Sequence, residues 1–181
     1  VITKSPGCAF EGTLEASYEN YNDLKTRAYL NVPLTDTLAF NVSALYKLSD
    51  SYYKLADSSP IEGSRSLPKD DERGVRIRVR WQPTEDFETT LTGLIVEQSG
   101  TGSTVNQNTH PNPQYAALGA SETPPYQTSA DYAPMFGLHN RVIYGDAKYS
   151  FDWFDAKALA SYQDMTTEAR IDLDNTQAPL V

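Results

Sequence analysis

The stretch Arg73-Gly-Val-Arg-Ile-Arg-Val-Arg-Trp-Gln-Pro83 decides the fold class of this chain. From Val75 to Gln82, apolar and polar residues alternate without exception, and three of the polar residues are arginines. Successive side chains of a β-strand point to opposite faces, so this alternation predicts a strand with one apolar face and one cationic face. On a helix the same arginines would be spread around the circumference.

Six other segments show the same period of two. They lie at about 10–18, 24–34, 38–53, 87–96, 143–151 and 154–163. No segment has sustained helical periodicity, so helical crossovers between parallel strands are not expected, and sequential strands should pair antiparallel. The sequence therefore predicts an all-β protein with an antiparallel up-and-down arrangement of about seven strands.

The connections between these segments alternate in length. Those near residues 35, 84 and 152 are tight, whereas the stretches at about 56–72 and 99–138 are long and rich in Ser, Pro, Asn and Gly; only the turn at 20–23 is short where a long loop is expected. Short turns at one end and long loops at the other are typical of outer-membrane β-barrels. Segments of about nine to eleven residues also match a tilted membrane-spanning strand.

Composition narrows the class of function. The 181 residues are 39% hydrophobic and 22% charged, and no apolar run is long enough for a membrane-spanning helix, which leaves transmembrane β-barrels open. The net charge of −9 argues against nucleic acid as a partner. Cys8 is the single cysteine, His110 and His139 are too few for a metal site, and no nucleophile–base motif is present. We expect neither an enzyme nor a bound cofactor.

Several phrases resemble TonB-dependent outer-membrane receptors. Val1-Ile-Thr-Lys-Ser-Pro6 resembles the last strand of their plug domain, and Phe10-Glu-Gly-Thr-Leu-Glu-Ala-Ser-Tyr-Glu-Asn-Tyr-Asn22 resembles their first barrel strand. Asn31-Val-Pro-Leu-Thr-Asp-Thr-Leu-Ala39 is similar to the first periplasmic hairpin. The segments 76–85 and 158–164 are similar to later strands, so the resemblance covers nearly the whole chain except the long loop.

The resemblance implies a larger, 22-stranded transmembrane barrel with a plugged lumen, of which these strands form the first third. Residues 1–8 would then be the end of the plug domain and its linker, and residues 9–181 the N-terminal part of the barrel. The implied function is uptake of a scarce ligand, a siderophore–iron complex or an oligosaccharide, across the bacterial outer membrane. The implied partners are outer-membrane lipid, the chain's own plug domain, TonB and that ligand. Because neither end has a closing feature, we expect a fragment or a processed piece.

Polar residues of the alternating segments are expected to face the barrel lumen and the plug. Arg76, Arg78 and Arg80 would form a line of cations that either bind plug carboxylates or anionic ligands, or are neutralised by neighbouring strands, with Glu88 as a candidate partner. Glu11, Glu15 and Arg27 are read in the same way, as wall residues that contact plug or water.

Aromatic residues are expected at or near the strand ends, on the apolar side, as an interfacial belt or as the rim of a sandwich core. They are Tyr18, Tyr46, Trp81, Tyr149, Phe151, Phe154 and Tyr162. In the long loop, His110, Tyr115, Tyr126 and Tyr132 are candidate ligand-binding residues, and a solvated extracellular loop is the equally weighted alternative.

Two other hypotheses remain open on the sequence. One is a complete outer-membrane barrel of eight strands, structural or pore-forming, with a strand hidden in 110–120. The other is a secreted β-sandwich binding module, which would bury the apolar face between two sheets.

Overall fold

A computed structural model describes residues 4–101, 113–117 and 122–172. Within these ranges the chain is all-β, as predicted. The long strands are β1 (Glu11–Glu19), β2 (Asp23–Pro33), β3 (Leu38–Ser49), β5 (Asp70–Trp81), β6 (Phe87–Gly100), β8 (Met135–Ser150) and β9 (Asp155–Arg170). Two short strands, β4 (Lys54–Leu55) and β7 (Gln127–Thr128), lie in the long connections. A 3-10 turn spans Asn20–Asn22 and a short helix, α1, spans Pro113–Ala117.

The seven long strands form one antiparallel sheet in the order β1-β2-β3-β5-β6-β8-β9. This is the up-and-down arrangement that the sequence predicted. The sheet is open, with β1 and β9 as its two edges. The β2–β3, β5–β6 and β8–β9 turns lie at one end, here called the short-turn end. The long connections lie at the other, the long-loop end.

The strand register sorts the alternating residues onto two faces. Across β3, β5 and β6, Val42 lies opposite Ile77, which lies opposite Gly93; one position along, Asn41 lies opposite Arg78. We call the side that carries Ile77 the apolar face and the side that carries Arg78 the polar face.

The apolar face is more exposed than the polar face. On the apolar face, Ile77 is 48% exposed and Trp81 is 47% exposed. On the polar face, Asn31 is 2% exposed and Asn41 is fully buried. Within the described ranges no second sheet packs on the apolar face, and the buried hydrophobic residues are only Ala39, Leu55, Ala56, Leu67 and Ala130. Within these ranges the apolar face of the sheet is therefore uncovered.

The two long connections contact each other beyond the end of the sheet. β4 pairs with β7 in parallel, and Leu55 and Leu67 form a small buried cluster flanked by Tyr53 and Ile61. The sequence did not predict this pairing, since two-residue strands show no measurable alternation.

Several predicted boundaries are wrong. β3 ends at Ser49 and β5 begins at Asp70, so the first long connection covers 50–69 rather than 56–72. β6 ends at Gly100 and β8 begins at Met135, so the second connection is shorter than the predicted 99–138. β9 continues to Arg170, which places Tyr162 in the middle of a strand rather than near its end. Residues 113–117 are helical, so the hidden strand proposed within 110–120 does not occupy them. No helix in the described ranges is long and apolar enough to span a bilayer.

Candidate functional site

The candidate site is a row of polar side chains that crosses the sheet. Neighbouring strands place Glu11, Asn31, Asn41, Arg78 and Thr92 side by side on the polar face. Asparagine is disfavoured in strands, and a buried amide is costly unless its hydrogen bonds are made. Two adjacent buried asparagines therefore indicate that something specific lies against the row.

Residues 4–9 of the same chain lie against this row of polar side chains, and we call this segment the strap. The Asn31 side chain holds it through three hydrogen bonds. Gly7 N donates to Asn31 Oδ1 at 3.0 Å, and Asn31 Nδ2 donates to the carbonyl oxygens of Gly7 at 2.9 Å and Ala9 at 2.6 Å. The amide thus satisfies both its donor and its acceptor groups on the strap backbone, as a neighbouring β-strand would.

The second attachment of the strap is the carbonyl oxygen of Lys4. Asn41 Nδ2 donates to it at 3.1 Å and an Arg78 Nη donates to it at 3.2 Å. Between the two attachments, Pro6 is fully buried. The Lys4 ammonium forms an ion pair with Glu11 and lies 5.6 Å from the centre of the Tyr29 ring. The strap is therefore held by its backbone at both ends and by one side chain.

The three arginines of β5 have three different environments. Arg76 donates to Ser43 Oγ at 3.1 Å, and Arg78 binds the strap. Arg80 forms a 2.7 Å ion pair with Glu88, the partner suggested by the sequence. All three lie on the polar face, where the sequence placed them, and Arg78 is the arginine that donates a hydrogen bond to the strap.

A groove of about 620 Å³ lies beside the strap, toward the long-loop end of the polar face. Arg27 and Glu15, whose charged atoms are 3.9 Å apart, form part of its lining together with Arg76. The rest of the lining is less polar than the row, with Leu45, Leu94, Val96 and Tyr144. Buried polar atoms without a hydrogen-bond partner among the described residues include Asn41 Oδ1, Arg76 Nε and Thr92 Oγ1.

At the long-loop end, Asp50 contacts the β1–β2 turn and Lys69, the residue that precedes β5. Asn22 Nδ2 donates to its carboxylate at 2.6 Å, Lys69 Nζ lies 3.0 Å from the other oxygen, and the Asp50 amide donates to Tyr21 O at 2.8 Å. The hydrogen bond from Asn22 and the one from Lys69 lower the pKa of Asp50 below its ordinary value. The β1–β2 turn is thereby joined to the start of the first long connection.

The predicted loop site is not assembled in the described residues. Tyr126 is exposed with a left-handed backbone (φ 59°), and its ring lies 6.3 Å from that of Tyr53. Tyr132 donates its hydroxyl to the carbonyl oxygen of Ile171. Tyr115 belongs to α1, whereas His110 and the Tyr115 side chain lie outside the part of the chain that the structure describes.

Aromatic side chains form a continuous line of ring contacts at the short-turn end. Successive centroids are 4.5–6.4 Å apart through Trp81, Phe87, Tyr149, Phe151, Phe154 and Trp153. Tyr18 and Tyr46 lie toward the opposite end of their strands. The apolar face therefore has aromatic residues at two heights.

The strap and its asparagine attachments are the functional feature that the sequence prediction missed. The signal for them in the sequence is only that two asparagines, Asn31 and Asn41, occupy the interiors of alternating segments. Comparison of the chain with protein-family models, with curated proteins and with solved structures finds no match in any of the three.

Proposed function

We propose that this chain forms part of the wall of a transmembrane β-barrel receptor in the bacterial outer membrane, of the TonB-dependent kind. The observation that carries the proposal is the reversed burial of the sheet: exposed Val, Ile and Trp on one face, buried Asn and Arg on the other. An apolar surface of this extent is costly in water and favourable against lipid, whereas a lumen is generically polar.

The strap supports the same proposal. In a plugged barrel, the segment that joins plug to wall must lie against the lumen side of the first strands. Residues 4–9 lie against the polar face and lead directly into β1. We therefore interpret residues 1–8 as the end of the plug and its linker, and residues from 9 onward as barrel wall.

The hydrogen bonds between the strap and the polar face are numerous enough that releasing the strap requires an input of energy. Five hydrogen bonds join the strap to Asn31, Asn41 and Arg78. At about 1 kcal/mol net for each bond, the attachment contributes roughly 5 kcal/mol. That is large against thermal energy, so in this mechanism energy transmitted through TonB displaces the strap and exposes the polar row to a passing ligand.

The long-loop end is the extracellular side in this proposal. Outer-membrane barrels have short periplasmic turns and long extracellular loops, and the connections of this sheet divide in that way. The ligand would be a siderophore–iron complex or an oligosaccharide captured by the loops. The open edges β1 and β9 would pair with further strands, because a barrel leaves no edge.

Single cysteines along β5 test this proposal. In a Cys8→Ser background, cysteines are placed one at a time at positions 75–80, and the chain is reconstituted in lipid vesicles. We expect the odd positions to be shielded from a charged aqueous maleimide, and positions 76 and 80 to react. Position 78 should react slowly, because the strap covers it.

The outcome that contradicts the proposal is equally specific. If the chain is soluble without detergent and the odd positions are protected there, a protein surface covers the apolar face. The secreted β-sandwich would then be the correct reading.

A further inference from the structure

A further inference rests on the proposed function and concerns the ligand that the groove of about 620 Å³ on the polar face accepts. Its volume lies in the range of roughly 300–1,000 Å³ that is usual for small-molecule sites. Two rows of residues beyond the strap-holding row form most of its lining. The nearer row is Tyr29, Ser43, Arg76 and Leu94, and the farther row is Arg27, Leu45, Gly74 and Val96.

The groove lies on the long-loop side of the strap. Along β5, Arg76 and Gly74 are two and four residues from Arg78, the arginine that binds the strap. These steps correspond to roughly 7 and 13 Å toward the long-loop end. In the proposed function that end is extracellular, so a ligand captured by the loops reaches the groove while the strap is still in place.

The floor of the groove is apolar, although it lies on the polar face. Leu45, Leu94 and Val96 occupy positions where alternation would place polar residues, and all three are half-buried. Gly74 lies between Leu45 and Val96 on the intervening strand, and an added Cβ there would be 4.0 Å from Leu45 Cβ and 3.9 Å from Val96 Cγ2. Because side chains two strands apart are separated by about 10 Å, the absent side chain of Gly74 leaves an apolar recess wide enough for one planar ring.

Cations that are incompletely neutralised border this recess. Arg76 donates to the neutral hydroxyl of Ser43, and within the described ranges it takes part in no ion pair. Arg27 approaches Glu15 at 3.9 Å, which is too long for a hydrogen bond, and both side chains are more than half exposed. A guanidinium has five N–H donors, so the groove has hydrogen-bond donors and positive charge to spare.

We propose that this groove binds an aromatic carboxylate. The ring lies over Gly74, between Leu45 and Val96, and the carboxylate accepts hydrogen bonds from Arg76, whose planar guanidinium fits two carboxylate oxygens. Arg27 contributes a second positive charge at the same groove. A neutral oligosaccharide would place hydroxyl groups on the apolar floor and leave the charge of Arg76 uncompensated. Of the two ligand classes in the proposed function, the groove therefore favours one that carries aromatic anionic groups.

The test measures binding of 4-fluorobenzoate to the 181-residue chain in nonionic detergent micelles. Equilibrium dialysis against empty micelles gives the bound probe, which fluorine NMR quantifies. Three comparison ligands separate the contributions: 4-fluorobenzamide lacks the charge, acetate lacks the ring, and maltohexaose represents the oligosaccharides. We expect saturable binding of 4-fluorobenzoate, about tenfold tighter than that of 4-fluorobenzamide, because a hydrogen bond to a charged group contributes more than a neutral one. Acetate and maltohexaose at equal concentration should not displace the probe.

Two substitutions in the groove should weaken this binding. Arg76→Gln removes the cation that binds the carboxylate, and Gly74→Leu fills the recess that receives the ring. Each should weaken binding about tenfold.

Two matched variants carry the same substitutions on the apolar face. Arg73→Gln removes a cation of the same strand that is already paired with Asp71 at 2.7 Å. Gly93→Leu adds a leucine to the neighbouring strand, where a Cβ would meet no heavy atom within 4 Å. Both variants should bind the probe like the parent chain, and circular dichroism checks that every variant keeps its β-structure.

Unchanged binding in either Arg76→Gln or Gly74→Leu, with β-structure intact in micelles, overturns the carboxylate site and leaves the barrel proposal standing. Equal binding of 4-fluorobenzamide, or displacement of the probe by acetate or maltohexaose, also overturns it. A dimer that Gly74→Leu disrupts would identify a second copy as the occupant instead. A chain that is soluble and monomeric without detergent, with the odd positions of β5 protected there, overturns the barrel and this inference with it.

Discussion

Replacing Asn31 with alanine should loosen the strap, because this one side chain makes three of the five hydrogen bonds that hold it. At about 1 kcal/mol for each bond, the free energy of strap opening should fall by roughly 3 kcal/mol. That corresponds to an increase of about 100-fold in the population of the open form. Asn31→Asp should have a larger effect, since it keeps the acceptor for Gly7 N but turns a second oxygen toward the carbonyls of Gly7 and Ala9.

The assay follows the burial of position 6, which is complete in the closed form. A Pro6→Cys probe in a Cys8→Ser background reacts with maleimide only when the strap opens, so its labelling rate reports the open population. Asn140→Ala is the matched control: it removes an asparagine whose side chain bonds Gln163 on β9 and is not among the strap contacts. Labelling of Asn31→Ala within twofold of the parent chain would refute the idea that Asn31 holds the strap.

Three other substitutions test the environment of the sheet and its ends. Ile77→Arg should destabilise the chain in bilayers by about 2–4 kcal/mol, measured by urea unfolding from vesicles, whereas Ser43→Arg on the polar face should cost less. Gly100→Ala should destabilise by more than about 1 kcal/mol, because φ is +141° and the added Cβ would overlap a carboxylate oxygen of Asp70 in β5; Gly93→Ala, in open space, should be tolerated. Hydrogen bonds from Asn22 and Lys69 lower the pKa of Asp50, so its ionised carboxylate should add to the free energy of unfolding above the ordinary pKa of 3.8. That stabilisation should be lost as the pH falls through the lower folded value, and Asp50→Asn should remove this part of the acid unfolding transition.

The sequence predicted the number of long strands, their antiparallel order and the shared face of Arg76, Arg78 and Arg80. Those properties follow from local alternation, which a strand of about ten residues repeats often enough to be unambiguous. Strand ends were placed less well. Beyond Tyr162 the residues on the apolar face are all polar (Asp164, Thr166, Glu168 and Arg170), so the alternation that marked β9 disappears before the strand itself ends.

The position of the strap against the polar face could not be predicted from the sequence, because it depends on contacts between distant residues. The contact between Lys4 and Arg78 joins residues 74 positions apart, and nothing local to either residue specifies it. The pairing of β4 with β7 likewise depends on two loops meeting in space. The shared face of Arg76, Arg78 and Arg80 follows from alternation alone. Their partners do not: Arg80 forms an ion pair with Glu88 because of the strand register, and Arg78 donates to a backbone carbonyl because the strap lies there.

Quenching of Trp81 by brominated phospholipids tests the central claim most directly. Trp153→Phe leaves Trp81 as the single tryptophan, 47% exposed on the apolar face at the short-turn end. In vesicles we predict strong quenching, greater for bromines near the headgroup than for bromines at the bilayer centre, because the residue should lie at the interface. No quenching in vesicles by bromines at any depth would contradict a lipid-facing apolar side.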